Sequence, residues 1–148
     1  MNSPRTVALM AQGGRPESLA AETLSVLASF GIEVERLCSD QTPDAARHAV
    51  AIVVGNRDEA NRLARLFPGP VLLVPDGADP AAALASVRSA ASEESGVPIG
   101  VLAVGVAGAR NAALAAVAML AVSDPDLLVR YRAFRDEQTA RVLATTVG

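Results

Sequence analysis

Lysine is missing from this chain of 148 residues, and all 13 basic residues are arginine. That excludes a Schiff-base lysine and a P-loop lysine. Histidine is confined to His48 and cysteine to Cys38. One of each cannot build a metal site of the usual kind, so no metal and no cofactor is expected. A lone cysteine leaves no internal disulfide, which fits a reducing, cytoplasmic setting. There is no Trp, and aromatic residues make up 3% of the chain. The core must therefore be Ala, Val and Leu, which suits helices packed closely on a sheet. The net charge of −3 is mixed along the chain, without the basic stripe that a nucleic-acid surface needs. Met1-Asn2-Ser3-Pro4-Arg5 lacks the apolar core of a signal peptide. The run from Ala103 to Val122 is about one bilayer long, but it contains Gly105, Gly108, Arg110 and Asn111. It reads as a strand, a turn and a buried helix, with no membrane span.

Short apolar runs alternate with amphipathic stretches of helical length, the rhythm of βαβ units. Strands are predicted at Thr6–Ala11, Ile32–Cys38, Val50–Val54, Val71–Val74 and Ile99–Val104. Helices are predicted from Pro16 to about Phe30, from Thr42-Pro43-Asp44 for a short stretch, over Asp58–Phe67, and from Asp79-Pro80 to about Ala91. Two more follow, over Ala109–Val122 and from Asp124-Pro125 to about Ala144 with Leu127, Tyr131, Phe134 and Val142 as its apolar stripe. Pro at a first helical turn after Thr or Asp is a start signal. Right-handed crossovers leave few arrangements. The expected fold is one domain, residues 1–148: a three-layer α/β/α sandwich with a five-stranded parallel flavodoxin-like sheet, order 2-1-3-4-5, and a C-terminal helix. Ligands in such sheets sit beyond the C-terminal strand ends. The loops to inspect are Gln12–Arg15, Cys38–Gln41, Asn56–Asp58, Pro75–Asp79 and Gly105–Arg110.

The last third carries a recognisable pattern. Val97-Pro98-Ile99-Gly100-Val101-Leu102-Ala103-Val104-Gly105 leads into Val106-Ala107-Gly108-Ala109-Arg110-Asn111-Ala112-Ala113-Leu114. This resembles the segment "(I/V)PVGTLAIGKAGAxNAAL" of the carboxyaminoimidazole ribonucleotide mutase (PurE) family. Asp124, Leu127, Leu128, Tyr131, Arg135, Gln138, Val142 and Leu143 follow the family's last helix, and Thr42-Pro43-Asp44 match the end of its "SAHRTPD" motif. The resemblance implies a carboxyl-moving reaction on an aminoimidazole ribonucleotide in purine synthesis, a His proton carrier, no metal, and octamers with sites between subunits. The matching positions depart from that pattern. Asp40 stands for the family's His and Gln41 for its phosphate-contacting Arg. Gln12-Gly13-Gly14-Arg15-Pro16 stands for "GSxSD", and Gly55-Asn56-Arg57-Asp58-Glu59-Ala60 for the "GxGGAAHLPG" loop with its second His.

No residue is therefore assigned as catalytic. Asp40 is the one candidate acid, but a proton carrier near neutral pH needs a tuned pKa, and a polar loop residue is the simpler reading. Gly13, Gly14, Arg15, Ser39, Asp40, Gln41, Asn56 and Arg57 are the candidate ligand-binding residues, with Arg15 and Arg57 converging on a small anion beside a helix N-terminus. Solvated surface arginines are the competing account. Asp58 and Glu59 place two carboxylates near the expected pocket. His48 is read as the end of the short helix, Cys38 as a small buried residue, and Asn111 as a cap or subunit contact. The Ala-rich helix predicts a homo-oligomer, octamer or tetramer. The functional expectation is a non-catalytic family member that binds a ligand or joins a catalytically complete homologue. The alternative is a divergent carboxylase, decarboxylase or mutase acting on a small anionic substrate.

Overall fold

Side chains of a strand point alternately to its two faces, and Thr6–Ala11 sorts itself accordingly. Val7 and Leu9 enter one buried cluster, and Ala8 and Met10 enter another. The same division holds in His48–Gly55, with Val50, Ile52 and Val54 against Ala51 and Val53, and in Val71–Pro75, with Leu72 and Val74 against Val71 and Leu73. Strands apolar on both faces belong in the middle of a parallel sheet covered on both sides.

The structure, a computed structural model, describes residues 6–77, 81–82, 84–85, 88 and 96–146. Its elements are β1 (Thr6–Ala11), α1 (Gly14–Ser29), β2 (Val34–Leu37), β3 (His48–Gly55), α2 (Arg57–Leu66), β4 (Val71–Pro75), β5 (Gly100–Val101), α3 (Gly105–Ala121) and α4 (Pro125–Thr146). All strand pairs are parallel and the order is β2-β1-β3-β4-β5, as predicted. The predicted Asp79–Ala91 helix lies mostly outside the described residues; positions 81, 82, 84, 85 and 88 are helical. Among the described residues, no helix is long and apolar enough to cross a membrane.

One face of the sheet carries α1 and α3, with α4 packed outside α3. The other carries α2, through Ala60 and Leu63. The Thr23 hydroxyl of α1 donates to the Ala109 carbonyl of α3 at 3.1 Å in the interior. Gly108 allows α3 to close on the preceding chain, since a Cβ there would stand 1.5 Å from the Ala103 carbonyl oxygen. Leu127 of α4 is buried, and Tyr131 and Phe134 meet Phe30 edge-on at 6.2 and 5.5 Å between ring centroids.

Several boundaries differ from expectation, each for a local reason. β2 is shorter than Ile32–Cys38 because the Ile32 amide closes α1 on the Leu27 carbonyl, and the Cys38 carbonyl is used by the Gln41 amide. Cys38 itself is exposed, not buried. Thr42-Pro43-Asp44 opens no helix. Asp44 Oδ1 accepts from the Ala46 amide, and its carbonyl accepts from the Arg47 and His48 amides. One turn is all that fits before β3 starts, so His48 begins a strand and ends no helix. β5 is two residues long, and Leu102 adds one more bond to the Leu73 carbonyl. α3 starts four residues before Ala109, at Gly105, whose φ of 75° suits glycine. Asn111 lies exposed in the body of α3 and caps nothing. One side of α3 is covered within this chain, with Ala109, Ala112, Ala113, Ala116 and Val117 fully buried, while Val106 and Met119 stay exposed. The α4 stripe stops at Phe134: Val142 is 65% exposed, and from Arg135 to Thr145 only Gln138 is even half-buried.

Candidate functional site

The C-terminal ends of the strands open into a cleft of about 280 Å³. Each strand of the central group supplies part of its wall. Gln12 and Pro16 follow β1, Ser39 follows β2, Asn56 and Glu59 follow β3, and Asp76 follows β4. Asn56 is fixed by its capping role, with its Oδ1 accepting from the Glu59 amide at 3.0 Å. Gly13 and Gly14 both have φ near +57° and turn the chain from β1 into α1. A Cβ on either would meet nothing within 4 Å, so the turn needs their backbone freedom and not their lack of bulk.

Of the residues proposed from sequence, Ser39 and Asn56 line the cleft. Asp40 is exposed in the turn after β2. Gln41 is folded back, its Oε1 accepting from the Cys38 amide at 2.7 Å. Arg15 is exposed at the start of α1, while Arg57 is half-buried and lines a separate shallow depression on the outer side of α2 with Asp58, Arg62 and Arg65. The structure does not bring Arg15 and Arg57 together in the cleft. Of the two carboxylates after β3, Glu59 faces the cleft and Asp58 faces outward.

Sequence reasoning passed over Asp76, Gln12 and Arg62. The first two lie in loops it named, but no pattern singled out their side chains. Arg62 had a visible signal, its i,i+3 spacing from Glu59. Its Nη2 donates to Glu59 Oε1 at 2.8 Å and to the Gln41 carbonyl at 2.9 Å, tying α2 to the loop after β2. Beside the cleft, Arg36 donates to both Glu17 oxygens at 2.6 and 2.7 Å, clamping the first turn of α1 to β2. These bonds hold the Glu17 carboxyl below its ordinary range and raise the Arg36 guanidinium above its own.

The one imidazole is elsewhere. His48 is buried at the start of β3, and Gly55 at that strand's other end lines the cleft, so they are about 23 Å apart at about 3.3 Å per residue. Its Nδ1 accepts from the Asp44 amide at 2.9 Å, which leaves the proton on Nε2, 3.0 Å from Glu35 Oε2. Arg47 completes the group at 2.8 Å from the same carboxylate oxygen. At this end a second cavity of about 290 Å³ lies between α1 and α4, but Arg130 there donates to the Phe30 carbonyl at 3.0 Å, which closes the end of α1. Among the described residues, no cluster of His, Cys, Asp and Glu could hold a metal ion.

The fold defines a flavodoxin-like α/β protein with a cleft at the strand ends whose charged lining residues are Glu59 and Asp76. The AIR carboxylase family model matches residues 17–141, and the chain belongs to that family. N5-carboxyaminoimidazole ribonucleotide mutase of Vibrio vulnificus is 33% identical over 140 residues, covering 85% of each chain. The Escherichia coli K12 mutase is 30% identical, covering 96% of this chain and 92% of its own. Among solved structures, an aspartate-for-serine variant of Treponema denticola PurE2 superposes with a TM-score of 0.80 at 18% identity, over 97% of this chain and 96% of its own. Treponema denticola PurE gives 0.77 at 16% identity, over 95% of each. These last two share the fold.

Proposed function

We propose that this chain is a non-catalytic member of the AIR carboxylase family, one that binds a small anionic ligand in the cleft or completes an assembly with a catalytically complete homologue. One observation carries the reading. The chain has a single imidazole, and it sits at the far end of β3 with both nitrogens engaged. Glu59 and Asp76 face the cleft instead, where they oppose a carboxylated nucleotide. General acid–base catalysis contributes roughly 10²–10⁴-fold, and positioning contributes more. The purified protein should therefore leave N5-carboxyaminoimidazole ribonucleotide unchanged, and it should not support growth of a mutase-deficient bacterium. Adding Asp40→His and Gln41→Arg should not rescue growth, since the carboxylates remain. Growth with the wild-type chain would overturn the proposal.

A second reading has its own support. Glu59 and Asp76 are two carboxylates on one cleft, the residue type that acid–base work uses, which would make the chain a divergent carboxylase, decarboxylase or mutase of another small anionic substrate. CO₂ release from a carboxylated imidazole ribonucleotide, lost in Asp76→Asn, would select it. Self-association and a cytoplasmic location belong to either reading. The exposed half of α4, with Val142 and Leu143 at 65% and 61% exposure, supports a homo-oligomer, octamer or tetramer. Light scattering that gives a monomer at micromolar concentration would refute this.

A further inference from the structure

The depression on the outer side of α2 measures about 460 Å³ and is lined by Arg57, Asp58, Asn61, Arg62, Arg65 and Leu66. These six positions form two neighbouring rows of the helix surface, 57-61-65 and 58-62-66, each stepping by four residues. The groove between two such rows is where a second helix lays a ridge of its own side chains. This groove is basic, with three guanidiniums and one carboxylate in its lining, although the chain as a whole has a net charge of −3. Helix stability does not account for Arg57, which opens α2 at the positive end of the helix dipole, where a cation is disfavoured. Elsewhere Arg36, Arg47, Arg110 and Arg141 each meet a carboxylate of this chain. Arg65 is exposed and meets none among the described residues. Leu66 beside it is 58% exposed.

We infer that this groove is a docking surface for an α-helix of another protein, one whose facing ridge carries Asp or Glu at four-residue spacing and ends in an apolar side chain. Charge complementarity selects that occupant. Arg57 and Arg65 stand at the two ends of one row, about 12 Å apart at 1.5 Å per residue, with Arg62 on the next row. Carboxylates repeating once per turn on a facing helix meet that spacing, and an apolar residue after the last of them covers Leu66. A second copy of this chain is a poor occupant. Pairing the face with itself about a twofold axis sets guanidinium against guanidinium, and Glu17, Glu22 and Glu137 on the other helices are already paired. The inference stands apart from the cleft and holds whether or not the cleft binds a ligand.

Fluorescence anisotropy tests it, with the full chain and a labelled helix-forming peptide of about 20 residues, long enough to hold a helix. The peptide carries Glu at four-residue spacing over three turns and a Leu after the last. It should bind, and more weakly as salt rises from about 50 to about 300 mM. A peptide with Lys at the Glu positions should not bind. Arg65→Glu should weaken binding about tenfold or more by reversing a charge, and Arg65→Lys should keep most of it. Leu66→Ser should weaken it about fivefold, through the apolar area left uncovered. Arg132→Glu, on the exposed side of α4, should match wild type. Thermal melts of each variant establish that the fold is kept. No binding of the Glu peptide, an affinity unmoved in Arg65→Glu, or equal binding of a peptide with its Glu residues scrambled off the row overturns the inference. So does binding of inorganic phosphate or of phosphatidylserine vesicles that depends on Arg65 while the peptide does not bind, which would make the groove an ion or membrane site.

Discussion

Gly108→Ala tests how tightly α3 is seated. The added Cβ would lie 1.5 Å from the Ala103 carbonyl oxygen and 2.5 Å from its carbon. Real Cβ contacts essentially never fall below 3.0 Å, so α3 or the Ala103 backbone must move by about 1.5 Å. Neither can yield by rotating a side chain. The shift would pull Ala109 from the Thr23 hydroxyl and disturb the fully buried Ala112, Ala113 and Ala116 beneath α1. Overpacking a core costs about 1–3 kcal/mol when side chains can adjust, and here the obstacle is backbone. Replacing a helical glycine by alanine returns about 1 kcal/mol. A net loss of about 3 kcal/mol is expected, equal to about 6–12 °C in melting temperature for a chain of this size. Urea denaturation and a thermal melt followed by circular dichroism measure it. A melting temperature within about 2 °C of wild type would refute the argument, because α3 would then have slack that the geometry denies.

His48→Ala should cost about 2–3 kcal/mol, since it orphans the Asp44 amide and removes one of the two partners of Glu35, leaving Arg47; His48→Gln should recover part of the loss, and urea midpoints for the two variants check both. The Glu17–Arg36 clamp sets an acid limb. Glu17 has its pKa lowered in the folded state, so its contribution is present above the ordinary carboxylate value and is lost as pH falls through the folded one. Arg36→Ala should therefore lower stability at pH 7 and converge on wild type in acid, and parallel stability–pH curves would count against the clamp.

What was legible in the sequence was whatever depended on periodicity over a full element. β1, β3 and β4 are short apolar runs alternating with helical stretches, and that rhythm, with the right-handed crossover rule, pointed to a parallel sheet of order 2-1-3-4-5. Leu127, Tyr131 and Phe134 at helical spacing announced the packed half of α4. The failures came where a short signal had two outcomes. Thr42-Pro43-Asp44 reads as a helix start, but an Asp that bonds to backbone amides just ahead of it makes a single turn equally well, and the nearness of β3 decided for the turn. Glycines at 105 and 108 read as breakers, yet one starts α3 and the other seats it. The site was half legible. Four of the five loops named contribute to the cleft, because parallel sheets expose their C-terminal ends, while Gly105–Arg110 supplies none of its lining; side-chain direction within a loop has no period to read. Arg57 thus lies outside the cleft, Gln41 turns inward, and Asp76 passed unnoticed.

The two ends of the sheet settle how this protein can meet copies of itself. β5 pairs with β4 through two residues, and β2 is four residues long with Glu35 and Arg36 in it. A strand so short, or so charged, is a poor template for a strand from another molecule. Cross-β stacking and sheet extension are thereby disfavoured at both edges, even in a chain that is half apolar. Any contact between copies is then left to the helical surfaces, and pairing strand to strand is not its route.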